Sequence, residues 1–220
     1  MRKRTFPLLF AVFAAAAFSA CHFGPGVKGS GNRKTEKRNL QPFKAIDTTG
    51  AYGIEVTCQK PASFEIEADD NILPLIKTEV RDGVLHVSNE QNYNSAKGVQ
   101  LRISMLELTA VSTHGAGDIK VTDANSDDLK IESTGAASVK ASGKAKSVTI
   151  SSTGAGDVDA SRLQTANARV TVSGAASISV YASEQLDVSV SGVGSVNYSG
   201  NPKTVNKNVS GVGSVNKTGD

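Results

Sequence analysis

The chain has 220 residues, a formal net charge of +3, 21 glycines, six prolines and no tryptophan, and only 5% of its residues are aromatic. Residues 1–20 contain three of the 24 basic residues and no acidic one, so the rest of the chain contains 21 basic and 21 acidic residues. This balance argues against a nucleic-acid-binding protein, and the lack of strands alternating with amphipathic helices argues against a parallel α/β fold.

The first 20 residues have the features of an export signal. A basic start is followed by an apolar run, Leu8–Phe18, that is too short to span a bilayer and ends in small residues. Residues 18–21 read Phe-Ser-Ala-Cys and resemble a bacterial lipobox, which predicts cleavage before Cys21 and lipid attachment to it. An ordinary signal peptide cut after Ala20 is the alternative, because lipoboxes usually begin with leucine.

The segment after Cys21 lacks apolar periodicity and is rich in glycine, lysine, arginine and asparagine. It predicts a flexible tether that ends where folded structure begins, near Phe43. If Cys21 carries lipid, Cys58 has no cysteine partner, and we expect it to fill space at a strand end. The predicted organisation is a signal peptide (1–20), a tether (21–42) and one domain (43–220).

The first part of that domain, residues 43–104, is less regular but contains strand patterns. Residues 64–68 and 99–104 alternate polar and apolar side chains, as strands with one buried face do. Between them, residues 71–88 predict a short turn and then a hairpin around the dipeptide Asp82-Gly83.

One phrase recurs six times in the regular second part, residues 105–220. It reads, for example, GAGDIKV from residue 115 and GVGSVNK from residue 211, and the copies are spaced by 20, 19, 20, 18 and 19 residues. A seventh, isolated copy begins at residue 50. Such an even period is typical of a repeat architecture. We assign the first glycines of the copies as structural corners: Gly50, Gly115, Gly135, Gly154, Gly174, Gly192 and Gly211.

Apolar and polar residues alternate around each of these glycines, which predicts strands on both sides of the corner. Because the same columns recur about every 19 residues, stacked coils would place like side chains above one another. The predicted fold is all-β, a parallel β-helix or β-solenoid with coils of about 19 residues. Glycine would permit the sharp corner, often with a positive φ. An antiparallel sandwich or barrel is the alternative, although neither requires a repeated phrase.

The last copy differs from the others in its charge. Lys207 and Lys217 occupy columns that are apolar in earlier copies. We interpret them as a polar cap that protects the edge of a final coil; a frayed tail is the alternative.

No catalytic set is apparent in the sequence. His22 lies in the tether, His86 in a strand, and His114 beside a corner near Asp118, where we expect it to be solvated. Calcium-binding Gly-Asp repeats have a nine-residue period, whereas Asp118 and Asp157 would lie two coils apart. We therefore predict a protein without catalysis, metal or other cofactor. A carbohydrate-active enzyme, either a polysaccharide lyase or a glycosidase, is the alternative and would need an acidic cluster on one face.

Three phrases together with the repeats resemble a known family. They are FKAIDTTGAYGIEV from Phe43, ADDNILPLI from Ala68 and DGVLHV from Asp82. Across residues 43–216 the chain is similar to the putative auto-transporter adhesin, head GIN domain family. The resemblance implies a right-handed β-helix, no established enzymatic activity, and a secreted or lipid-anchored protein of Bacteroidetes-like bacteria.

The sequence as a whole predicts an adhesin-like binding or scaffolding module. It would be exported and anchored to the cell envelope, at the outer membrane, through the lipid on Cys21. Its faces of serine, threonine and asparagine suit a glycan, a protein ligand or self-association into a homo-oligomer. Nucleic acid is not an expected partner.

Overall fold

The structure, a computed structural model, describes residues 26–219, which form eighteen β-strands and one 3₁₀ turn without any α-helix. No helix in this part of the chain is long and apolar enough to cross a membrane. The strands are β1 (Val27–Lys28), β2 (Arg33–Lys37), β3 (Ala45–Thr49), β4 (Tyr52–Thr57), β5 (Ser63–Asp69), β6 (Ile76–Arg81), β7 (Val84–Asn89), β8 (Tyr93–Asn94), β9 (Val99–Ser104), β10 (Ala110–Thr113), β11 (Ala116–Ser133), β12 (Ala136–Ser152), β13 (Val158–Val172), β14 (Ser177–Tyr181), β15 (Gln185–Val190), β16 (Val193–Ser199), β17 (Thr204–Val209) and β18 (Val212–Lys217).

Most of these strands stack in parallel as the coils of a β-solenoid. The long strands β11, β12 and β13 pair with one another in parallel, and β14 to β18 continue the stack. Each of the long strands runs from one corner glycine to the next, and in the later coils this stretch is divided into two strands, as in β14 and β15. Like residues lie above one another, as in the register Val111, Ile131, Ile150, Val170 and Val188. The predicted all-β solenoid is therefore confirmed, and the antiparallel alternative is wrong for the repeats.

The first coil is separated from the second by a long insertion. The chain leaves the coil of β3 and β4 after Cys58 and returns at Ala110 to pair β10 with β3. Within the insertion, β7 and β9 add one more parallel layer beneath the first coil, while β5 and β6 pair antiparallel on the outside. The order of the coils in space thus differs from their order in the chain.

This insertion contains the predicted hairpin. Strands β6 and β7 pair antiparallel around Asp82 and Gly83, which have φ values of 52° and 75°. A two-residue turn with positive φ at both residues matches the right-handed twist of the paired strands.

The prediction of a flexible tether up to residue 42 is wrong for residues 33–37. They form β2, which pairs antiparallel with β5. Arg33 and Lys37 lie 3.4 and 3.1 Å from glutamates of β5, and Arg38 donates to the carbonyl of Ile76 at 2.7 Å. The basic composition indicated a solvated tether, but these charges are satisfied by an acidic neighbouring strand. Residues 1–25, which include the predicted signal peptide, Cys21 and His22, lie outside the described residues.

Small and branched aliphatic side chains fill the interior. Ile131, Ile150 and Val170 are at most 1% exposed, and burying such a side chain contributes roughly 1.5–3 kcal/mol. Cys58 is buried directly after β4, and burial raises the pKa of its thiol to about 11. This agrees with a cysteine that fills space, because the reactive form is the thiolate.

The corner glycines form a single column through the coils. A Cβ atom placed on Gly115, Gly135 or Gly154 would lie 1.7–1.9 Å from the carbonyl oxygen of the glycine one coil earlier. Among the seven corner glycines only Gly50 has a positive φ, of 141°. The expected reason for glycine is therefore wrong at the other six corners: close approach of stacked backbones requires it there, and a left-handed conformation does not.

The last coil consists of β17 and β18. Lys207 pairs in register with Val188, and Lys217 with Tyr198. The Lys207 ammonium lies 5.1 Å from the centre of the Tyr198 ring and donates to the carbonyl of Val215 at 3.2 Å. Lys207 thus covers Tyr198, the last aromatic side chain of the interior.

Candidate functional site

A polar groove runs along the third side of the solenoid. This side is the segment of each coil that joins the stretch after one corner glycine to the stretch before the next corner glycine. Three coils contribute a surface row, Asn125, Lys144 and Gln164, in which neighbours pair in register. The adjacent inward positions are small, Ser126, Ala145 and Thr165, so the backbone there is recessed between longer side chains. The resulting groove has a volume of about 610 Å³.

The groove extends over four coils. Beyond Thr165, the next layer is attached by a hydrogen bond of 3.0 Å from the Ser183 amide to the Thr165 carbonyl. Tyr181 lines this end and Glu107 the other. Three coil spacings correspond to a length of about 14 Å. A ring at one end and polar side chains along the length suit an elongated polar molecule.

Most charges of the groove are already paired. Lys146 lies 2.7 Å from Asp127, and this hydrogen bond raises the pKa of the lysine. Glu107 lies 2.6 Å from Lys44. Lys144 has no carboxylate within ion-pair distance among residues 26–219. The groove therefore has one uncompensated positive charge near its middle.

A second polar cluster lies on the outer face of the strands before the corners. Asp47 of β3 is placed between two histidines: His86 Nδ1 is 3.1 Å from one carboxylate oxygen and His114 Nε2 is 3.3 Å from the other. The second nitrogen of His114 contacts the Thr134 hydroxyl at 2.8 Å. His114 is exposed, as expected, but its polar contacts come from the neighbouring coils and not from Asp118.

Asp47 is a polar residue of this cluster that the sequence did not reveal as a candidate. In the structure β3 lies between β7 and β10, whereas in the chain it precedes both. The repeat does not predict this arrangement, because β7 belongs to the insertion. The one available signal was the seventh copy of the repeat at Gly50. Extending the strand pattern backwards from that corner places Asp47 outward beside the first full repeat.

The spatial order of the chemical groups in this cluster resembles that of a hydrolytic triad. A hydroxyl, an imidazole and a carboxylate follow one another from Thr134 through His114 to Asp47, as nucleophile, base and orienting group do, but the Asp47 oxygen that faces His114 makes no hydrogen bond in the described chain. The side chains stand on the strand face, away from the groove, and His114 is 45% exposed. A nucleophile needs a bound substrate held against it, and the groove does not supply one at this position.

The described part of the chain has no group of three histidine, cysteine, aspartate or glutamate side chains that could hold a metal ion. Asp118 pairs in register with Ser138 in the next coil, and Asp157 accepts a hydrogen bond of 3.1 Å from the Ser177 amide. The two aspartates therefore have separate neighbours.

A β-solenoid of stacked parallel coils belongs to the repeat proteins, a class in which extended surfaces across the repeats commonly serve for binding. The chain itself is a member of the putative auto-transporter adhesin, head GIN domain family, whose model matches residues 42–202. The resemblance of the opening phrases and the repeats to this family is thereby confirmed.

Solved structures share the fold. A putative adhesin from Bacteroides fragilis is 26% identical, with a TM-score of 0.72 over 88% of this chain and 100% of that one. A putative lipid binding protein from Parabacteroides distasonis is 20% identical (TM-score 0.55, 87% and 99% covered). A putative adhesin from Parabacteroides merdae is also 20% identical (TM-score 0.52, 87% and 98% covered).

No protein of curated function matches the chain. Membership in an adhesin-like family and similarity to the adhesin from Bacteroides fragilis support a binding role. They also indicate an extracellular or cell-envelope protein.

Proposed function

We propose that this protein is a lipid-anchored, non-catalytic binding module of the cell envelope that holds a glycan in the groove of its third side. The observation that carries the proposal is the row of Asn125, Lys144 and Gln164, three exposed polar side chains in register on adjacent coils. Amide side chains both donate and accept hydrogen bonds, as the hydroxyl groups of a sugar require. A spacing of about 4.8 Å repeats these groups along an extended ligand.

A binding array of immobilised glycans, probed with the purified full chain, tests the proposal. We expect the double variant Asn125→Ala/Gln164→Ala to lower affinity for the bound glycans at least about tenfold, since each lost hydrogen bond costs about 1 kcal/mol. The matched control is Asn197→Ala/Asn216→Ala, which removes two asparagines paired in register on another face. Equal binding by both double variants, or no bound glycan at all, would contradict the groove as the site.

The absence of catalysis is tested with the same ligands. A glycan recovered after long incubation with the protein should have an unchanged mass. A product of lower mass, abolished by His114→Ala, would instead assign hydrolysis to the cluster around Asp47.

The anchor is proposed at Cys21, on the strength of the lipobox-like residues before it. Mass spectrometry of the N-terminal peptide from the native host should show acyl groups on Cys21. An unmodified cysteine at the mature N-terminus would refute the anchor and leave the binding module intact.

A further inference from the structure

An apolar groove lies at the end of the solenoid where the insertion, residues 59–109, packs against the first coil. It has a volume of about 730 Å³ and is lined by Phe43, Val84, Met105 and Leu106, among others. Leu106 is 73% exposed, whereas Met105 beside it is buried. Pockets of several hundred Å³ with apolar walls are typical of small-molecule sites, and an exposed leucine at such a site provides apolar surface for a ligand to cover.

This apolar groove adjoins the polar groove of the third side. Glu107 lines both, and its ion pair with Lys44 stands at the boundary between them. The two grooves therefore form one surface path, which is apolar beside the insertion and polar along the coils. Neither a simple hydrocarbon nor a simple glycan would match both parts.

The charges that line the polar groove indicate the sign of the group that would bind there. Lys44 is neutralised by Glu107 and Lys146 by Asp127. Lys144, which follows Asn125 by one coil, is the cation in the polar groove that has no carboxylate within ion-pair distance in the described chain. A ligand with an anionic group about 10 Å from the part that fills the apolar groove would place that group beside the Lys144 ammonium.

We propose that the two grooves together bind a single-chain anionic amphiphile, with its hydrocarbon chain against Leu106 and its phosphorylated polyol headgroup along Asn125 and Lys144. The proposal rests on the proposed function, because it assigns the class of ligand that the polar groove takes. It implies that the module recognises the headgroup and the chain of one molecule together.

Calorimetric titration of the full chain with monomeric lysophosphatidylinositol, below its micelle concentration, tests the proposal. Two matched probes carry half of the ligand each: inositol phosphate has only the headgroup, and a monoacylglycerol has only the chain. We expect lysophosphatidylinositol to bind at least tenfold more tightly than either.

Two variants locate the ligand. Leu106→Asp should weaken binding of lysophosphatidylinositol at least tenfold, whereas Val212→Asp, at a valine that is 77% exposed in the last coil, should leave it unchanged. Lys144→Glu should weaken binding of lysophosphatidylinositol but not of the monoacylglycerol. Because Leu106 and Lys144 are exposed, circular dichroism should show that both variants fold.

The outcomes separate this inference from the proposed function. Glycans that bind the polar groove and respond to Asn125→Ala/Gln164→Ala, together with no preference for lysophosphatidylinositol, would overturn the amphiphile and keep the glycan site. Tight binding that is insensitive to Leu106→Asp would also overturn it. If the full chain binds neither glycans nor lysophosphatidylinositol, both proposals are rejected.

Discussion

At the scale of single residues, the interior contains a polar column that changes along the solenoid. The position two residues before the corner glycine is Ser133 in one coil, Ser152 in the next and Val172 in the one after. Both serines are 0% exposed, and their hydroxyls have no hydrogen-bond partner in the described chain. A buried hydroxyl without a partner costs free energy of folding. The later coils avoid this cost with valine.

Removing one of these hydroxyls should therefore stabilise the protein. We expect Ser152→Ala to raise the free energy of unfolding by about 1 kcal/mol, because an unsatisfied polar group is replaced by a methyl group. Urea unfolding followed by far-ultraviolet circular dichroism measures the change. Ser151→Ala is the matched control, since Ser151 is only partly buried, and it should shift stability by less than about 0.5 kcal/mol. A lower stability for Ser152→Ala would mean that the hydroxyl is hydrogen-bonded in solution.

At the scale of elements, the corner is defined by contact between backbones. Amide groups beside each glycine donate to the coil before, as Ala136 does to Gly115 at 2.8 Å and Ala155 to Gly135 at 2.9 Å. The column leaves no room for a Cβ atom at these glycines. The corner thus connects two strands and also sets how closely successive coils approach.

A methyl group at one corner should separate two coils. We expect Gly154→Ala to lower the free energy of unfolding by about 2 kcal/mol or more, as overpacking of a close-packed site does, because its Cβ would lie 1.9 Å from the Gly135 carbonyl oxygen. Ala155→Ser, a change at the exposed neighbouring residue, is the control and should be nearly neutral. Equal stability of both variants in urea would show that the corner can relax without cost.

The elements also differ in how far the sequence predicts them. The repeated coils were predictable because each residue column is repeated at a nearly constant period, so one pattern determines strand, face and register together. Strand β2 was not, because an edge strand of basic residues has the composition of a tether until its acidic partner β5 is known. The polar groove was not predicted either, since its depth depends on small residues in register on the third side.

At the scale of the whole molecule, the solenoid is nearly one-dimensional, with each coil held mainly by its two neighbours. The insertion of residues 59–109 caps one end with antiparallel strands and buries Leu101, Ile103 and Leu108 against the first coil. At the other end, β17 and β18 each pair with one strand only. The position of the layer formed by β7 and β9 could not be inferred from the repeat, because these strands belong to the insertion and contain no copy of the phrase.

Stability should consequently decrease towards the last coil. Equivalent amides precede the corner glycines and donate to the preceding coil: Ser173 to Ser152 and Ser210 to Val190, at 2.8 and 2.9 Å. We expect the Ser210 amide to exchange with deuterium at least tenfold faster than the Ser173 amide, measured by nuclear magnetic resonance, because opening the last coil breaks only one interface. Similar hydrogen-bond lengths make Ser173 a matched reference. Equal exchange rates would mean that the coils open only together, in one global unfolding event.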